Sequence, residues 1–150
     1  MSNLSENLER QARLSTMAQA PADRLIALCK SAGVKVPHSV LRAPEIGTVM
    51  VRGRAGAVGA AFNLGEMTVT RASVRLNDCS AVGHGYVQGR SHEAAIYAAL
   101  VDALCQTDQG SALMASVIIP LQEEKAAHEG ARAARAAGTK VEFFTMVRGE

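Results

Sequence analysis

The chain opens on apolar positions spaced along one helix face. Leu4, Leu8, Leu14 and Met17 recur loosely at that spacing, with Ser2 or Ser5 placed to cap the segment. Pro21 suits the first turn of a second helix, in which Leu25, Ile26, Leu28 and Cys29 form an apolar stripe and which Gly33 is placed to end in the left-handed conformation. The pattern then turns extended. Runs rich in valine and threonine, from His38 to Arg42, Thr48 to Arg54, Met67 to Leu76 and Val82 to Arg90, alternate with glycine, proline, asparagine and aspartate. This predicts an antiparallel meander. In its last run, period two puts Gly83, Gly85, Val87 and Gly89 on one face and His84, Tyr86, Gln88 and Arg90 on the other. The glycines from Gly53 to Gly59, and Asn63-Leu64-Gly65, tolerate positive φ and suit turns or bulges, or less directly a backbone nest for an anion.

Ser91 is placed to cap a helix running to about Asp108 and ended by Gly110. Ile96, Leu100 and Leu104 make its ridge, while Ala95, Ala99 and Ala103 permit close approach to the small residues of the preceding strand. Val117, Ile118 and Ile119 before Pro120 read as a short buried strand or an extended connector. Gln122 to Ala137 is helical by propensity, with Gly138 closing it. Its apolar surface is almost only alanine, so it either packs closely on a flat surface or lies outside. Val141, Phe143 and Val147 point one way and Phe144 and Met146 the other, a terminal strand with two faces to bury. The expectation is an α+β fold in a single domain spanning 1–150: N-terminal helices in 1–33, an antiparallel β-meander in 38–90, and helices with a terminal strand in 91–150.

Composition sharpens this picture. Of 150 residues, 48% are nominally hydrophobic, but alanine dominates; leucine, isoleucine, valine and phenylalanine make up only about a fifth to a quarter. The large-side-chain core is thin, which favours a chain stabilised by surfaces of other chains. A net charge of +2, no tryptophan and 3% aromatic residues argue against stacking on unpaired bases. No apolar run is long enough to span a bilayer and no leader is visible, so a soluble, cytoplasmic protein is expected. Cys29, Cys79 and Cys105 fit neither a disulfide framework nor a thiolate cage, and are expected to be reduced and mostly buried. His38, His84, His92 and His128 lack metal-ligand spacing. The glycine runs match neither a phosphate loop nor a dinucleotide fingerprint, and no Gly-x-Ser-x-Gly turn occurs.

The positive charge is patterned by residue type. No lysine lies between Val36 and Glu124, whereas Arg42, Arg52, Arg54, Arg71, Arg75 and Arg90 punctuate the meander against only Glu45, Glu66 and Asp78. Guanidinium offers a planar fork of donors for phosphate or carboxylate. Arg52, Arg54, Arg71, Arg75 and Arg90 are therefore the candidate substrate-binding residues, the plainer alternative being solubilising arginines or pairs with another subunit. His84 is a candidate general acid, although a lone strand histidine is more often a packed or partner-bonded residue. Asp78 and Asp102 form no acid/base pair visible in the sequence.

Four segments carry a family likeness: Arg42-Ala43-Pro44-Glu45-Ile46-Gly47, Asn63-Leu64-Gly65-Glu66-Met67-Thr68-Val69-Thr70-Arg71, Tyr86-Val87-Gln88-Gly89-Arg90 and Phe143-Phe144-Thr145-Met146-Val147-Arg148-Gly149. With these the chain resembles the G subunit of the bacterial carbon-phosphorus lyase core complex, over essentially its whole length and least in the first forty residues. The resemblance implies an enzyme subunit that, with its H, I and L partners, transfers the ribose triphosphate moiety of ATP to a phosphonate such as methylphosphonate with release of adenine, in organic phosphonate catabolism. The I subunit is the nucleosidase-like component of that family, and G assembles with H, I, J and K. Carbon-phosphorus scission belongs to J with its iron-sulfur cluster, so no cofactor and no metal are expected on this chain. The family commonly continues Gly-Arg with Asp-Lys-x-His-Ala-Glu, where this chain has Ser91-His92-Glu93-Ala94-Ala95-Ile96; roles tied to those family residues do not carry over. A purely architectural subunit and a basic anion- or nucleic-acid-binding module are the alternatives.

Overall fold

A computed structural model describes residues 2–56 and 59–140. Helices α1 (Ser2–Gln19) and α2 (Ala22–Ser31) precede strands β1 (His38–Gly53), β2 (Phe62–Leu76) and β3 (Val82–Gln88). Helix α3 (His92–Leu104), a short α4 (Gly110–Leu113), a π-helical turn (Met114–Ile118) and α5 (Ile119–Gly138) follow. The strands make one antiparallel sheet in the order β1-β2-β3, so the fold is α+β and the meander is present.

The core lies between this sheet and α3. Thr70, Ala72, Val74 and Leu76 of β2, with Gly83, Gly85 and Val87 of β3, are buried on the α3 side, as alternation requires. An added Cβ at Gly83 would lie 1.9 Å from the Ala99 carbonyl oxygen, and one at Gly85 2.1 Å from that of Ala95. Only glycine admits the helix backbone so close to the strand. Helix α3 is buried over most of its circumference, with Ala95, Ala99 and Ala103 toward the glycines and α1, α2 and α4 packed against it. Met17 and Leu25 are fully buried against this centre, each contributing about 1.5–3 kcal/mol.

Local chemistry explains the helix ends. Gly33, at φ +69°, donates to the Lys30 carbonyl while Val34 donates to that of Cys29, the paired closure that a left-handed glycine permits. Ser91 Oγ accepts from the Ala94 amide at 3.2 Å and caps α3.

Several boundaries differ from the sequence reading. The runs from His38 and from Thr48 join into one strand, with register irregularities between Val40 and Arg42 and between Arg42 and Glu45. Pro44 is tolerated there because β1 is an edge strand with no neighbour awaiting its amide. Strand β2 begins at Phe62 rather than Met67, and a further irregularity falls at Asn63-Leu64-Gly65, where the sequence suits a turn or a bulge. Pro21 precedes α2 as its cap, and Ser5 lies inside α1. Helix α3 ends at Leu104, and Gly110 starts α4 instead of ending α3. Val117, Ile118 and Ile119 are helical, not extended: they lie where the π-turn runs into α5, and Pro120, just inside α5, has no amide to give to the preceding helical turn. Beyond buried Leu121, α5 lies largely on the outside. The expected terminal strand, Val141 to Val147, falls outside the described residues.

Candidate functional site

Arg71, Ser73 and Arg75 occupy the positions of β2 that alternate with its buried residues, and so line the sheet face away from α3. Register brings neighbours to them. Tyr86 of β3 lies opposite Arg71 and His84 opposite Ser73, while β1 sets Glu45 opposite Arg71 and Arg42 opposite Ser73. Glu45 Oε1 accepts from Arg71 Nε at 2.5 Å and from Arg42 Nη1 at 2.7 Å. Ser73 Oγ and His84 Nδ1 are hydrogen-bonded at 2.9 Å. A shallow cavity of about 140 Å³ lies over Arg42, Arg71, Ser73, His84 and Tyr86.

Two titrating groups record this arrangement. The Glu45 carboxyl is held below the ordinary glutamate range by its hydrogen bonds from Arg71 and then Arg42. The Arg71 guanidinium is held above its ordinary value by the Tyr86 side chain first and Glu45 second. One carboxylate shared by two guanidiniums leaves a net positive charge at the cavity, to which Arg75 adds on the same face. Such a surface attracts anions.

The five candidate arginines are not brought to one place. Arg75 lies four residues from Arg71 along β2, opposite Ser39 and Val82, a separation of about 13 Å. Arg52 lies opposite Asn63, about 26 Å along the sheet from Arg71, and among the described residues reaches only the Ala61 carbonyl at 3.4 Å. Arg54 follows in the hairpin loop, and Arg90 sits past the end of β3 beside the α3 cap. Arg71 and His84 therefore share a cavity, Arg75 flanks it, and Arg52, Arg54 and Arg90 lie elsewhere.

A second polar cluster escaped the sequence reading. Asp102, 1% exposed, accepts from Arg10 Nε at 2.9 Å and Nη2 at 2.7 Å, and from the His84 backbone amide at 2.9 Å. Its two oxygens thus tie α1 and β3 to α3. Arg10 in turn is held above its ordinary value, chiefly by that hydrogen bonding. The signal was a single acid within the apolar run Ala98 to Leu104, a position that requires a partner; Arg10 is 92 residues distant in the chain.

Remaining residues have simpler surroundings. Glu93, in the stretch that departs from the family pattern, pairs with Lys30 at 2.8 Å on the surface. Burial pushes the Cys29 thiol up to about 12 and raises that of Cys105. Cys79, against expectation, is exposed, because it sits in the turn between β2 and β3. Among the described residues no three His, Cys, Asp or Glu side chains gather as metal ligands, and no helix is long and apolar enough to cross a membrane.

Comparison with known proteins places this geometry in a family. A protein of Rhizobium meliloti (strain 1021), alpha-D-ribose 1-methylphosphonate 5-triphosphate synthase subunit PhnG, is 38% identical over 142 residues, covering 95% of this chain and 90% of that relative. Residues 8–149 match the family model of the phosphonate metabolism protein PhnG, so the open-faced meander and its helices are those of a member of the PhnG family.

Proposed function

We propose that this chain serves as the G-type subunit of a ribose 1-methylphosphonate 5-triphosphate synthase, acting with H, I and L partners in phosphonate catabolism and assembling with H, I, J and K. The observation that carries the reading is the 38% identity, across nearly the whole of both chains, to a relative bearing that subunit name. In the reaction proposed, a phosphonate oxygen forms a bond to the ribose carbon that bears adenine. The bond to adenine breaks, and the departing base takes up a proton. Both substrates are anionic, so donors that hold the triphosphate beside the phosphonate lower the cost of bringing them together.

Arg71 and Arg75, with His84 beside them, are assigned that electrostatic role at a junction with the I subunit. Two features support the assignment: the net positive charge around Glu45, and a histidine whose Nδ1 is engaged by Ser73 while the ring borders the same cavity. The double variant Arg71→Ala/Arg75→Ala in a reconstituted complex is expected to raise the apparent KM for substrate by about tenfold or more with assembly intact. Unchanged kinetics would reject the assignment.

An architectural role is the second reading, favoured by the dispersal of Arg52, Arg54 and Arg90 away from the cavity. Omitting the chain separates the two where the other subunits still assemble. Lost turnover supports participation in the reaction, and retained turnover supports scaffolding.

A further inference from the structure

Strand β3 stops short of the β1–β2 hairpin. Its last pairing is Gln88 with Val69, after which Gly89 donates to the Thr68 carbonyl. From there Thr48–Gly53 and Phe62–Thr68 continue as a two-stranded arm, about 20 Å long at the rise of a strand. A ribbon of two strands is marginally stable in water by itself.

This arm is apolar on both sides. Met50 (52% exposed) lies on the face that carries buried Thr70 farther along, and Val49 on the opposite face; Phe62 (47%) and Leu64 (57%) stand near the tip. Both of its edges are free of a neighbouring strand among the described residues. The outer edge of β3 is different: the Val82 carbonyl accepts from Arg10 and Gln106, and the His84 amide donates to Asp102. Part of that edge, at Val82 and His84, is closed by side chains, whereas the arm offers a strand edge together with large apolar groups.

The charges at the arm are unbalanced. Arg52 and Arg54 face only Glu66 between Ile46 and Glu66, and neither arginine has an acidic partner among the described residues. Two copies docking arm to arm would bring four arginines against two glutamates, which like-charge repulsion opposes. We infer that the arm is a docking element for a different protein chain, one that presents an apolar groove edged by carboxylates and a strand able to pair with the arm. This inference rests on the reading of the chain as one subunit among several, and it gives Arg52 and Arg54 a role in assembly rather than in holding substrate.

The test uses the full-length chain co-expressed with the H, I and J subunits of the proposed complex, followed by size-exclusion chromatography and amide hydrogen exchange. Wild-type chain is expected to co-elute. Arg52→Glu/Arg54→Glu and Met50→Ser/Phe62→Ser are each expected to weaken association by about tenfold or more, with the circular dichroism of the isolated chain unchanged. Amides of 48–53 and 62–68 are expected to exchange about tenfold or more slowly in the complex than in the isolated chain; this comparison decides by itself should a variant fail to fold. Undiminished binding by both variants, with arm exchange unaltered in an assembled wild-type complex, would overturn the docking role and leave the subunit reading standing. Failure of the wild-type chain to associate with any of the three would overturn both. A dimer of the isolated chain that Arg52→Glu/Arg54→Glu dissolves would overturn the choice of a different chain as occupant.

Discussion

The two ends of one β-hairpin have opposite characters. Toward its base, β2 alternates buried Ala72, Val74 and Leu76 with the more accessible Arg71, Ser73 and Arg75, because β3 pairs alongside and α3 covers one face. Toward the tip, every residue from Phe62 to Glu66 is exposed, although the backbone ladder with β1 continues. Strand geometry is thus common to both ends. What differs is a third strand and a helix, and with them the burial that stabilises the base without help. The same hairpin supplies a self-sufficient half and a half whose apolar groups remain in water.

Perturbing the base should cost most. Gly83→Ala forces a methyl group into the Ala99 carbonyl, and backbone on both sides leaves little room to relax. The expected loss is about 3 kcal/mol or more in denaturant unfolding, with β3 and α3 failing together. Asp102→Ala leaves Arg10 and the His84 amide without their acceptor. We expect about 3 kcal/mol of destabilisation in the same measurement, because a group closed off from water loses its hydrogen bond.

Glu45 lies in the base a few residues before the arm begins, and acid addresses it. Its lowered pKa means that the carboxylate form is favoured in the folded chain. The associated stabilisation is present above the ordinary glutamate range and is lost as pH falls through the lowered folded value. Amide resonances of 45–53 should therefore shift on acidification before those of β3 and α3. Simultaneous loss of both regions would mean that the halves are not separable. The smallest effect is expected in the arm: Met50→Ser in the isolated chain should change stability by less than about 0.5 kcal/mol, since that side chain is already half in water.

The contrast also marks what could be read from the residues. Period two assigned both faces of β3 correctly, and the spacing of Ala95, Ala99 and Ala103 matched the close approach at Gly83 and Gly85, because pleat and helix pitch are local properties. Gly33 and Ser91 acted where their chemistry placed them. Val117 to Ile119 misled because a short β-branched run has no period that separates a strand from a buried helical turn, and packing decided it. At the candidate site, the residue type of the arginines was legible and their dispersal was not. Register and strand length fix how far Arg52 stands from Arg71, and neither appears in composition. Arg10 and Asp102 meet only through tertiary folding, so one lone buried acid was the whole of the signal.

Amide hydrogen exchange on the isolated chain measures the difference between base and arm most directly. Residues 70–76, 82–88 and 92–104 should exchange orders of magnitude more slowly than 48–53 and 62–68, whose opening should require little free energy. Equal protection across the whole hairpin would contradict the account, because an arm as stable as the base would have no need of another chain.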